Sequence, residues 1–167
     1  MRIPSRYVLV SPDKPLVEMM GGRGGGPNGG MAAVFTGVAR AAFEAALDYS
    51  RQRVQGGKLI CEHQLVQKRL FEMFTKVEAA RLLSRAAITY NTDAPVPALE
   101  YAIAAKTFCT QVAFEVASDA IQIFGGSGLS REYPVEKIFR DARASLVEDG
   151  TNEVLSLVGA RLVLMRG

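Results

Sequence analysis

The sequence predicts an all-α fold, an antiparallel four-helix bundle, and three observations carry that prediction. Val66, Leu70, Met73, Val77 and Ala80 recur at alternating spacings of four and three, which puts one apolar stripe along a long helix. Leu99 to Phe124 is apolar around most of a helical circumference, with charge only at Glu100, Lys106, Glu115 and Asp119, as a buried central helix requires. Proline and glycine then punctuate the chain at Asn91–Pro97 and at Gly125–Gly126, where helices must stop.

Taken in order, Arg2–Val10 reads as a short extended piece with Pro4 at an edge. Gly21–Gly30 is a low-complexity break that reads as a loop or linker. Gly24, Gly26 and Gly29 formally satisfy the dinucleotide pattern GxGxxG, but Pro27 lies inside it and no convincing strand precedes it. Met31 to about Arg53 is an alanine-rich helix whose stripe Val34, Val38, Ala41 and Ala45 lets a neighbour approach closely. Glu62 to about Tyr90 is the second helix, Asn91–Pro97 a turn, and Leu99–Phe124 the third helix. A short helix starting at Pro134 and a last one over Thr151–Leu164 complete the bundle.

Composition narrows the function classes. The 167 residues suffice for one core, and a net charge of +3 comes from basic residues interleaved with acids rather than gathered into a nucleic-acid stripe. Cys61 and Cys109 lie far apart, and Cys61 with His63 supplies only two metal ligands, so no metal site is expected and free thiols are. The first residues lack an apolar signal region and no uninterrupted run reaches membrane length, so a cytoplasmic protein without a membrane span is expected.

The chemistry concentrates near the end of the chain. Gln122-Ile-Phe-Gly-Gly-Ser-Gly128 is followed by Tyr133-Pro-Val-Glu-Lys137, Arg140-Asp-Ala-Arg143 and Glu148-Asp-Gly-Thr-Asn-Glu153. This succession resembles the C-terminal helical domain of the FAD-dependent acyl-CoA dehydrogenase family, and the likeness extends over essentially the whole chain. Met1–Leu9 is similar to the segment that closes that family's β-domain. The resemblance therefore implies a β-domain junction and Gly-rich linker over residues 1–30 and a helical bundle over 31–167. It also implies that the N-terminal and β-domains lie elsewhere and that the chain alone is inactive.

In that family a carboxylate removes the α-proton of an acyl-CoA thioester while the flavin takes the β-hydride. The resemblance aligns Asp149 with this base, usually a glutamate, and leaves Glu148 as the alternative. Aspartate is one methylene shorter, about 1.5 Å of reach, so the resemblance departs from the family there. The bland reading of Asp149 is an N-cap for the last helix, worth about 1 kcal/mol. Gly150, beside the base, is implied at the substrate. The flavin contacts implied by the resemblance are Arg53, Gln64, Gln122, Gly125, Gly126, Thr151 and Glu153. Arg53 suits the pyrophosphate because its forked guanidinium is permanently charged. Gly56 replaces a usual phenylalanine. Each residue has a plainer role as well: Arg53 a solvated helix-end charge, Gln64 a surface residue, Gly125–Gly126 a helix stop. Arg140 and Asp141 read as structural ion-pair residues. The implied partners are an acyl-CoA substrate and either further copies of the chain, as dimer or tetramer, or a chain carrying the missing domains. Two other functions stay open: a non-catalytic helical oligomerisation module, and a flavin oxidase acting on a smaller substrate.

Overall fold

The computed structural model describes residues 26–166. The extended piece over Arg2–Val10, the junction over Met1–Leu9 and residues 21–25 of the glycine break lie outside the described residues. Five helices follow one another: α1 (Gly26–Ser50), α2 (Gln64–Asp93), α3 (Leu99–Phe124), α4 (Val135–Ala144) and α5 (Asn152–Leu164). Side-chain pairs fix their directions. From α2 to α3, Lys76 meets Glu115 and Tyr90 meets Tyr101, so residue numbers rise on one helix as they fall on the other. Gly29 against Ile88 with Phe43 against Phe74 makes α1 and α2 antiparallel, and Asn152 at Thr110 with Gly159 at Ile103 does the same for α5 and α3. The result is an up-down-up-down bundle whose last leg is α4 followed by α5: Tyr133 packs on Phe124 and Phe139 on Phe114, and α5 continues along the same helix. The all-α, antiparallel four-helix expectation is borne out.

Small side chains let the helices approach. Ala39, Ala42 and Ala46 of α1 and Ala113, Ala117 and Ala120 of α3 are buried, with Met73 and Val77 of α2 closing the core. The buried face of α1 is Ala32, Phe35, Ala39, Ala42 and Ala46, which corrects the sequence reading of Val34, Val38, Ala41 and Ala45; Val34 is 60% exposed. Both stripes satisfy the helical period because alanine occurs on each. Phe35 decides the phase, since burying an aromatic ring removes far more apolar surface than burying a valine. The stripe on α2 is as expected, with Leu70, Met73, Val77 and Ala80 buried and Val66 half-buried.

Helix ends differ from the sequence reading at three places. The first helix begins at Gly26 rather than Met31, so Gly26–Gly30 is helical and not linker. Pro27 falls in its first turn, where a missing N–H leaves no helical bond unmade. The same helix stops at Ser50, short of Arg53. The second helix runs on through Asn91 to Asp93, because Asn91 spends its side chain locally: Nδ2 donates to the Ala87 carbonyl at 3.0 Å and Oδ1 accepts from the Ala98 N–H at 2.6 Å. Ala94 then turns extended (φ −71°, ψ 138°), the conformation that a following proline enforces. The third helix has the predicted limits. An unforeseen hairpin, Val54–Gln55 against Lys58–Leu59, joins α1 to α2. Its two turn residues, Gly56 and Gly57, have φ of 64° and 80°, as a two-residue hairpin loop demands.

Ion pairs bind α2 to α3: Arg69 with Asp119, Lys76 with Glu115 at 2.8 Å and Lys76 with Asp119 at 3.9 Å. A hydrogen bond from Lys76 holds the Glu115 carboxyl below its ordinary value of 4.5, with burial opposing. The folded chain therefore gains stability from Glu115 above the unfolded value and loses it as pH falls through the lowered one. Both side chains are more than a third exposed, so the pair belongs with surface bridges worth about 0.2–1 kcal/mol. Glu115→Gln should lower the denaturation midpoint at neutral pH, and its curve should merge with that of the parent as pH falls through the lowered value; parallel curves down to strong acid would contradict this. Arg140 and Asp141 are ion-paired as expected, both within α4, Arg140 to Glu136 at 2.9 Å and Asp141 to Lys137.

Candidate functional site

The α3 helix ends because Gly125 takes φ 61° and ψ −140°, with its N–H bonded back to the Gln122 and Ile121 carbonyls. A short 3-10 turn, Gly125–Leu129, reverses the chain into Pro134, which heads α4. Gly128 is where that turn presses on the helix it has left: a Cβ there would sit 2.9 Å from Phe124 Cβ and 3.0 Å from the Ile121 carbonyl oxygen. Around the corner Tyr49 stacks on Phe124 with centroids 4.0 Å apart, and Tyr133 packs edge-on against both rings. These aromatics tie the C-terminus of α1, the end of α3 and the start of α4 into one rigid corner.

Two adjoining hollows open on it. One of about 370 Å³ is lined by Tyr49, Arg53, Gln55, Phe124, Gly125 and Gly126, among others. The other, of about 430 Å³, is lined by Gln55, Gly56, His63, Arg69 and Gln122. Gln55, Ile60 and Ile123 belong to both. The fold thus brings Arg53, Gly125 and Gly126 to one hollow and Gln122 to the other, which shares its wall. A Cβ at Gly125 or Gly126 would meet nothing within 4 Å, so their backbone faces open volume. That is room for a bulky group to lie against the main chain, with an exposed guanidinium at its side. Gln64 is exposed at the head of α2 and lines neither hollow.

The other candidates collect at the α4–α5 junction. Val147 and Glu148 both bond back to the Ala144 carbonyl, and Asn152 N–H reaches the Leu146 carbonyl at 3.1 Å. Between them Asp149 takes φ 51° and Gly150 φ 96°. A non-glycine residue in that region costs about 1–3 kcal/mol and persists only where its surroundings force it. Asp149 and Glu148 are both exposed. The N-cap of α5 is Thr151, whose hydroxyl accepts from the Val154 N–H at 3.3 Å, so the cap reading of Asp149 is corrected. The Glu153 carboxyl is held below its ordinary value, first by its own backbone N–H and then by the Thr151 hydroxyl. Within one chain the cofactor candidates therefore divide three ways: Arg53, Gln122, Gly125 and Gly126 line the adjoining hollows, Thr151 and Glu153 stand at the head of α5 close to Asp149, and Gln64 lies apart from both.

Sequence reasoning missed Lys106. It is fully buried, and its ammonium donates to the Gly150 carbonyl at 2.9 Å and to Asn152 Oδ1 at 2.8 Å. Burial pushes its pKa below 10.5, while the nearby carboxylates of Asp149, Glu148 and Glu153 act in the opposite sense. The signal was in the sequence as the lone cation in the middle of an apolar helix. Tyr49 and His63, which line the hollows, were missed, and so was the hairpin, although its Gly-Gly doublet between Val-Gln and Lys-Leu is a hairpin signature.

Comparison with known proteins gives one consistent result. The profile of the acyl-CoA dehydrogenase C-terminal domain matches residues 28–164. The chain is 41% identical over 129 residues to cyclohexane-1-carbonyl-CoA dehydrogenase of Geobacter metallireducens, covering 77% of this chain and 33% of the relative. Butyryl-CoA dehydrogenase of Megasphaera elsdenii superposes with a TM-score of 0.81 at 40% identity, over 84% of this chain and 36% of the other. A solved chain described as the electron transferring flavoprotein of Acidaminococcus fermentans also gives 0.81 at 40% identity, over 86% of this chain and 37% of that one. The chain spans about a third of the length of these relatives.

Proposed function

The chain belongs to the acyl-CoA dehydrogenase family as its C-terminal domain, and from that premise we propose that it supplies the α-proton-abstracting carboxylate and part of the FAD site of a complete enzyme that desaturates an acyl-CoA thioester. The observation that carries the reading is Asp149: an exposed acid in a left-handed backbone conformation, relieved of capping by Thr151 and tied to the central helix through the next residue's carbonyl. Strain of that kind needs a reason, and presenting a base is one.

Asp149 removes the α-proton, with Glu148 the alternative, and Gly150 lies beside the substrate. A bound flavin would supply the acceptor for the β-hydride. Arg53 would hold the pyrophosphate, and Gln122 and the open backbone of Gly125–Gly126 would hold the nucleotide. Thr151, Glu153 and Gln64 meet it from outside those hollows, which suits an oligomer in which neighbouring copies share a cofactor. Exposed apolar side chains such as Phe71 and Leu82 on α2 and Leu157 and Leu164 on α5 support association with further copies or with a chain carrying the remaining domains. Alone, the chain is expected to be inactive.

The test is anaerobic. A flavin-loaded assembly containing this chain and the remaining domains should bleach when an acyl-CoA is added; colour unchanged by short, long and alicyclic acyl-CoA thioesters overturns the reading. Arg53→Met should weaken flavin retention about tenfold, the loss of one partly solvated charge-assisted contact, read as flavin fluorescence released on dilution. Retention equal to the parent's would remove Arg53 from the site.

A further inference from the structure

Lys106 is the one charged side chain that is buried among the described residues. A buried ammonium is poorly placed for stability alone, because an apolar residue of similar volume commonly serves a core as well or better. Its contacts indicate what it does instead. Both lie on the far side of the α4–α5 junction: the Gly150 carbonyl and the Asn152 side chain. The same turn of α3 grips Asn152 again, because Asn152 Nδ2 donates to the Thr107 carbonyl at 3.3 Å and to Thr110 Oγ1 at 2.9 Å. The two consecutive residues with positive φ, Asp149 and Gly150, stand immediately before this clamp. The carboxylates of Asp149, Glu148 and Glu153 help keep the ammonium charged against the cost of burial.

We propose that Lys106 is a positioning residue for the base: its ammonium, docked on the Gly150 carbonyl and the Asn152 side chain, locks the left-handed turn and fixes the angle at which Asp149 meets the α-carbon. The inference rests on Asp149 being the base. Lys106 does not touch substrate or flavin. Its part is to hold still the residue that follows the acid, so that the short aspartate side chain does not have to search for its proton. An acid displaced by about 1 Å loses on the order of a hundredfold in rate. The loss falls on the chemical step, so kcat and kcat/KM drop together while KM stays.

The experiment uses the flavin-loaded assembly and follows exchange of the substrate α-proton with deuterated solvent, without electron acceptor. Lys106→Met keeps the volume and removes the ammonium. It should slow exchange by about ten- to a hundredfold, and kcat by as much once an electron acceptor is supplied, with KM and flavin content unchanged. A merely structural role would lower the unfolding midpoint yet leave the rate per bound flavin intact. Should Lys106→Met fail to fold or to hold flavin, Asn152→Ala, which removes half the clamp, decides by the same criterion with an expected loss of about tenfold. Asp149→Asn in parallel separates the two ideas. If it is inert while the clamp variant that folds exchanges at the parent rate, positioning by Lys106 is overturned and the base stands. If Asp149→Asn itself exchanges at the parent rate, the base assignment falls and the positioning role falls with it.

Discussion

Asp149→Asn is expected to reduce turnover of the flavin-loaded assembly by about 10²–10⁴-fold, the span general-base removal usually costs. The substitution is unusually clean at this position. Asparagine matches aspartate in size and is one of the few residues that tolerate left-handed backbone, so the turn at φ 51° and its neighbour at 96° should survive. Thr151, not residue 149, caps α5, so helix stability should not change either. What is lost is a group able to accept a proton. Flavin content and unfolding midpoint should match the parent while substrate-induced bleaching and α-proton exchange disappear. A parent rate would refute the assignment outright.

Gly128→Ala should be the most disruptive conservative change at the aromatic corner. The added methyl would lie 2.9 Å from Phe124 Cβ and 3.0 and 3.1 Å from the carbonyl oxygen and Cα of Ile121. Two of these atoms are backbone inside α3 and the third is the root of a ring stacked on Tyr49, so none can swing aside. Forced overpacking of this kind costs about 1–3 kcal/mol. The strain has one easy outlet, displacement of the Gly125–Leu129 turn, and that turn lines the cleft opposite Arg53. Denaturant titration should show the stability loss and flavin titration a weakened affinity. Gly126→Ala is the matching control. Its methyl meets nothing within 4 Å, so the fold should hold and only flavin affinity should fall. Equal stability for the two variants would contradict the packing argument.

Much of the fold was legible because large apolar residues leave one solution. The α2 stripe, built on Leu70, Met73 and Val77, and the limits of α3, set by Ala98 and Gly125, are as the sequence implies. Where side chains are small the pattern is degenerate: α1 carries alanine on two faces, and only Phe35 separates them. Helix ends were missed where a side chain spends its hydrogen bonds in a way periodicity does not encode, as Asn91 does in prolonging α2. The candidate site divides similarly. The family resemblance implied Arg53, Gln122 and the glycines, which the fold places along adjoining hollows, but it could not tell that Thr151 takes the cap or that Lys106 reaches 44 positions along the chain to Gly150. The sequence shows Lys106 as the lone cation of an apolar helix, but not which distant groups its ammonium reaches.

The Lys106 grip closes on main-chain atoms of Gly150 and on the side chain of Asn152, and on no atom of residue 149. The grip therefore acts on the main chain that follows the acid, and the Asp149 carboxylate acts on the grip only through its charge. Under the proposed role, the side chain at position 149 sets the reach toward the α-carbon and the vice sets its direction, so the two can be varied independently.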